Sequence, residues 1–147
     1  PGDVQRMSAG TGVTHSEYNH SQESPVHFLQ IWFLPEQSGL KPGYEQKHYP
    51  TADKRGRFCL VASRSGADGA VRLNQDVNMM VGLFNGEESA NLDIAAERTA
   101  WLHVARGSVN VNGERLEAGD GASINGGGQL EFSTGDGAEV IVFDMTR

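Results

Sequence analysis

Apolar and polar residues alternate with a period of two along much of this chain. Ala100, Leu102 and Val104 alternate with Trp101 and His103, and Val109 and Val111 alternate with Ser108 and Asn110, the pattern of strands with one buried face. Asn112-Gly113 follows at once. This is the pair that a type I′ turn takes at its two positive-φ positions, so residues 108–112 and 114–117 are expected to form a hairpin. Residues 139–145 are a β-branched and aromatic run of the same kind. Short strands separated by Gly-rich turns roughly every ten residues imply an antiparallel sandwich or barrel, with little room for helix.

Two zones break this rhythm. Residues 19–27 are polar turn formers and read as an exposed loop, followed at 28–34 by a strand apolar on both faces. Residues 35–57 hold three of the five Pro and five of the twelve Lys and Arg, so they read as a long irregular connection between two units, with a boundary near residue 50. Within it, Lys54-Arg55-Gly56-Arg57 reads as a short solvated charge run, the alternative being an anion contact.

A short internal repeat links the two ends of the chain. Pro1-Gly2-Asp3 and Ala118-Gly119-Asp120 share a small-Gly-Asp turn, followed at the same offset by an apolar residue, a polar residue and glycines. The same supersecondary unit is therefore expected twice, with strands at 13–18 and 130–133. Gapless alignment sets His15 opposite Phe132 and Glu17 opposite Thr134.

Composition narrows the function classes. With 147 residues, 37% of them hydrophobic, the chain can bury one sizeable core or two small ones. A net charge of −7 argues against nucleic acid or an anionic membrane as the main partner. The longest apolar run, 28–34, is interrupted by Gln30 and falls far short of the roughly 20 residues of a membrane span. Cys59 is alone, which excludes an internal disulfide and any CxxC motif, reads as a small core residue, and fits a cytoplasmic location. The start at Pro1-Gly2-Asp3, with no initiator Met and no signal peptide, leads us to expect a piece of a longer protein.

His15-Ser16-Glu17 is the main candidate for chemistry. On a strand, positions two apart share a face, so His15 and Glu17 are expected to point together into an interior beside Val13. One nitrogen and one oxygen donor suit Fe, Mn, Ni, Cu or Zn, with further ligands supplied from elsewhere; the competing reading is a surface pair on a half-exposed strand. His27 is either a third ligand or a loop residue. His20 and His48 fall in polar segments and read as solvated, and His103, alternating with Leu102 and Val104, is expected to face outward. Asp76, Asp93 and Glu97 read as scattered carboxylates. Gly10-Thr11-Gly12 lacks the rest of a dinucleotide fingerprint, and neither GxxxxGK[ST] nor GxSxG occurs.

The run of residues 1–19, then Leu29-Gln30-Ile31-Trp32-Phe33-Leu34-Pro35 and Tyr44-Glu45-Gln46, resembles the pirin family, which includes quercetin dioxygenase-like bacterial proteins. More loosely, the likeness continues through Asn74-Gln75-Asp76, Ala95-Ala96-Glu97-Arg98 and the hairpin at 104–113. It implies an all-β bicupin of two jelly-roll barrels, with residues 1–50 as the tail of an N-terminal cupin and 51–147 as a complete C-terminal cupin barrel. It further implies that His15 and Glu17 are the second half of a metal site whose His-x-His half lies on strands ahead of the Pro-Gly-Asp turn. In the C-terminal unit, ligand positions counted from Gly107 fall at Ile94, Ala96, Ala100 and Phe132, which cannot bind metal.

The resemblance also implies a divalent transition metal (Fe, Ni, Cu, Mn or Zn) in the longer parent and none in this chain alone. In the dioxygenase members, Glu17 would serve as ligand or general base, O2 would cleave a flavonol ring with loss of carbon monoxide, and the small aromatic substrate would be the partner. This chain by itself is then expected to be inactive. The alternative within the family is a non-enzymatic regulatory cupin acting through protein contacts, and outside it a sugar- or aromatic-binding β-sandwich. Exposed strand edges are expected to make the chain a homo-oligomer.

Overall fold

The computed structural model describes all of residues 1–147. Its strands are β1 (Asp3–Ser8), β2 (Gly43–His48), β3 (Phe58–Ser63), β4 (Val71–Arg72), β5 (Val77–Gly86), β6 (Ala90–Ile94), β7 (Arg98–Val111), β8 (Glu114–Glu117), β9 (Gly121–Asn125) and β10 (Gly128–Thr146). Helix is confined to α1 (Thr51–Lys54) and a 3-10 turn at Ala67–Gly69. No helix is long and apolar enough to cross a membrane.

The all-β expectation holds, but the closed C-terminal barrel does not. β1 and β2 form a separate two-stranded sheet, and the other strands form one mixed sheet in the order β4-β3-β5-β10-β7-β8, with β6 also on β10 and β9 also on β7. This path has two open ends, so the architecture is an open, cupin-like sheet. At the β4 end, side chains explain where it stops. Arg72 on β4 donates its backbone N–H to Glu45 Oε2 at 3.0 Å, and its carbonyl accepts from Arg6 Nε at 3.0 Å. Both backbone groups that a further strand would pair are thereby occupied by the small sheet.

The long strands bend to wrap a core. β10 pairs with β6 through Gly128–Phe132 and with β5 from Gly135 onward, while its other edge follows β7 with register shifts between Ser133 and Val140. At the bend Gly107 has φ 63, and a Cβ there would stand 2.2 Å from the Asp136 carbonyl oxygen, so only glycine fits. Alternate residues then enter two cores on opposite faces of the sheet. Leu102, Val104, Leu130, Phe132, Val140 and Val142 belong to the first, with Phe58 packed against it. Ile141 and Phe143 join Tyr49, Val61, Val77 and Val81 in the second.

The hairpin forms in the expected register, Val111 opposite Glu114, with Asn112 at φ 51 and Gly113 at φ 85. Residues 28–34 do not form the expected strand. Trp32 and Leu34 are 86% and 85% exposed, and Phe33 alone is half-buried, its ring 5.9 Å from Phe143. The connection at 35–57 is less irregular than its composition implies, since it contains β2 and α1. Its charge run is also not uniformly solvated: Lys54 is buried, Arg55 pairs with Glu88 at 2.7 Å, and Arg57 donates to the Ala52 and Asp53 carbonyls.

Candidate functional site

The small sheet has two unlike faces. Alternation turns Val4, Arg6, Ser8, Glu45 and Lys47 toward the large sheet and leaves Asp3, Gln5, Met7, Tyr44, Gln46 and His48 on the open side. Register sets Asp3 opposite His48, Gln5 opposite Gln46, and Met7 opposite Tyr44. Over this open face lies the segment at 13–18. His15, Ser16, Glu17 and Tyr18 line a concavity of about 330 Å³ with Gln5, Met7 and Tyr44. A second, of about 350 Å³, adjoins it through Met7, His15 and Tyr44 and adds Ser8, Val13, Pro42 and Gly43.

His15 and Glu17 therefore meet at one cavity, but not in the expected setting. Residues 13–18 carry no strand, and both side chains are exposed. The internal repeat shows what is different. Gly2 and Gly119 adopt nearly the same φ, 95 and 96, and each turn leads into a strand, β1 or β9. In the second copy the chain then enters β10, held by β6 on one edge and β7 on the other. In the first copy no strand of this chain flanks 13–18, so its backbone has no ladder to join. The same offset matches Met7 to Ile124, Val13 to Leu130 and His15 to Phe132. Leu130 and Phe132 are core residues and Ile124 packs against them. Met7, Val13 and His15 thus occupy inward positions of the repeated unit, whereas Glu17 matches Thr134, which is exposed.

The remaining histidines are elsewhere. His27 Nδ1 accepts from Arg106 Nε at 3.1 Å, His48 sits on β2 bonded to Asp3 at 2.6 Å, His20 is exposed, and His103 is half-buried between the core residues Leu102 and Val104. No group of three His, Cys, Asp or Glu side chains is placed to hold a metal ion. Of the four positions set by Gly107, Ile94, Ala100 and Phe132 lie in the first core and Ala96 is exposed. Of the three carboxylates read as scattered, Asp76 pairs with Arg98 at 3.2 Å and Asp93 with Gln129 at 2.9 Å, while Glu97 is exposed.

Electrostatics reinforce the open face. The hydrogen bond from His48 holds Asp3 below the usual carboxylate range, and Glu45, behind it, is lowered by the Arg72 backbone N–H and by Lys47. Burial pushes the Cys59 thiol up, which leaves it a packing residue. Gln5, Met7, Tyr44 and Gln46 were missed as site residues in the sequence. Their signal was the period-two pattern Tyr44, Gln46, His48, hidden inside a stretch whose Pro and Gly content reads as loop.

Comparison with known proteins places these observations. Residues 60–145 match the quercetinase C-terminal cupin domain, and residues 1–33 match pirin. The chain is 35% identical over 144 residues to quercetin 2,3-dioxygenase of Escherichia coli K12, covering 98% of this chain and 61% of that protein. It is 34% identical to a pirin-like protein of Caulobacter vibrioides, covering 97% and 62%. The crystal structure of bacterial pirin YhhW from Escherichia coli in complex with nickel(II) superimposes with a TM-score of 0.87 at 36% identity, covering 99% of this chain and 62% of that one. The chain therefore spans about three fifths of the length of these relatives.

Proposed function

Because the chain belongs to the pirin and quercetin 2,3-dioxygenase family, we propose that its cavity is half of a metal-dependent dioxygenase site for flavonols. In this reading residues 1–50 are part of one cupin unit and 51–147 are the second. His15 contributes a nitrogen donor and Glu17 an oxygen donor toward a divalent transition metal, with nickel the first candidate after the nickel(II) complex of the relative. Glu17, which lines the cavity, would also take the proton of a substrate hydroxyl. Supporting this most strongly is the correspondence of Met7, Val13 and His15 with inward-facing Ile124, Leu130 and Phe132.

The residues present do not complete a metal site. Two donors are fewer than the three protein ligands that even open catalytic sites use, and no third acidic, His or Cys side chain joins them. The remaining donors in this proposal come from outside these 147 residues, and the chain alone turns over no flavonol. The exposed apolar side chains Tyr18, Phe28, Trp32 and Leu34 favour self-association, which light scattering at high concentration reads as a dimer or larger; a clean monomer removes that part of the proposal.

The test joins this chain to the portion of the Escherichia coli quercetin 2,3-dioxygenase that it does not match. The fusion is expected to bind one nickel and to consume oxygen with quercetin, and His15→Ala or Glu17→Gln to abolish both. Nickel binding that survives both substitutions contradicts the half-site. Nickel binding without oxygen uptake on any flavonol favours the regulatory alternative.

A further inference from the structure

The open face of the small sheet carries a directed hydrogen-bond relay whose sense can be worked out atom by atom. An ionised carboxylate only accepts. Asp3 Oδ1 takes a hydrogen bond from His48 Nδ1 at 2.6 Å, and its Oδ2 takes one from Gln46 Nε2 at 3.3 Å. Gln46 must therefore turn its NH2 toward Asp3, which points its Oε1 the other way. That oxygen receives the Tyr44 hydroxyl and, at 3.5 Å, Gln5 Nε2. Tyr44 has a single hydroxyl hydrogen, and Gln46 takes it. What Tyr44 offers the cavity is therefore lone pairs.

We propose that Tyr44 is the specificity-determining contact of this cavity, its oxygen held as an acceptor for a phenolic O–H by Gln46 and Asp3, so that the site selects neutral polyhydroxylated aromatics over their ethers. Gln46 and Asp3 are positioning residues. The rest of the lining agrees with this selection. Glu17 adds a second acceptor, Gln5 keeps its own amide oxygen as an acceptor after donating to Gln46, and Met7, opposite Tyr44, supplies apolar surface for an aromatic body. A methyl ether would set oxygen lone pairs against these acceptors. This inference rests on reading the cavity as a flavonol site and specifies which chemical feature of the flavonol it recognises.

The test uses the chain as it stands, in EDTA, with calorimetric titration of quercetin and of its fully O-methylated ether. The wild-type chain should prefer quercetin by roughly three- to tenfold, the worth of one neutral hydrogen bond. Tyr44→Phe should shrink that preference by weakening quercetin alone, leaving only what Glu17 and Gln5 contribute. Asp3→Asn frees the Gln46 amide to turn over, allows Tyr44 to donate into the cavity, and should shift preference toward the ether. A structural role for Asp3 would weaken both ligands alike. Equal binding of the two ligands by the wild type, no saturable binding of quercetin, or equal loss of both in Tyr44→Phe with unchanged circular dichroism would each overturn the proposal. Since metal is absent throughout, this experiment can fail while the His15 and Glu17 half-site stands, and the reverse.

Discussion

Replacing Phe132 by Ala removes the ring on which the first core is built. Phe132 is 1% exposed. Its ring meets Phe58 edge-on at 4.7 Å and 67°, and lies parallel to Phe84 at 5.7 Å and 8°. Truncating a buried Phe costs about 3–5 kcal/mol. Each aromatic contact adds about 0.5–1.5 kcal/mol beyond the area buried, which places this site at the upper end, near 4–5 kcal/mol. The hole cannot collapse easily, because β10 is held by hydrogen bonds to β6 and β7 on its two edges. With a urea m-value of about 2 kcal/mol/M, the midpoint should fall by roughly 2 M. Urea titration followed by circular dichroism measures it, with Trp32→Ala, at an 86% exposed site, as a control expected to change stability by less than about 0.5 kcal/mol. A loss at Phe132 below about 1.5 kcal/mol would refute the claim that this core carries the fold.

Two further outcomes follow from local geometry. Gly107→Ala should cost more than about 2 kcal/mol, because positive φ and a carbonyl 2.2 Å from the new Cβ act together; Gly113→Ala, with φ 85 but nothing within 4 Å, should cost only about 1 kcal/mol, both read by thermal unfolding. Glu45 is lowered from 4.5 in the folded chain, so its stabilisation is present above that value and is lost as pH falls through the folded pKa. Protection factors for hydrogen exchange at β1 and β2, taken relative to the intrinsic rate at each pH, should fall below about pH 4.5, and Glu45→Gln should flatten that dependence; an unchanged profile would remove Glu45 as the fastener between the two sheets.

The sequence exposed some elements and concealed others for physical reasons. Asn112-Gly113 was legible because its turn is a local backbone preference, satisfied whatever surrounds it. Residues 13–18 and 28–34 have strand composition, yet a strand exists only where a neighbour offers its edge, and no strand of this chain offers one there. β2 was concealed for the opposite reason. Its polar sequence carries no apolar face, and its pairing with β1 spans some forty positions, beyond any local pattern. That the sheet stays open at β4 was equally illegible, since it depends on Arg6 and Glu45 meeting the backbone of Arg72. Within the site, His15 and Glu17 could be singled out by residue type, whereas the acceptor sense of Tyr44 needed the cross-strand register of Asp3, Gln5, Gln46 and His48.

The half-site itself is tested most directly by paramagnetic broadening of amide signals when substoichiometric Mn(II) is added to the fusion that supplies the remaining donors. Loss of signal should centre on residues 13–18, Met7 and Tyr44, and should disappear in His15→Ala. Broadening centred on His20, His27 or His48, with residues 13–18 left sharp, would contradict it.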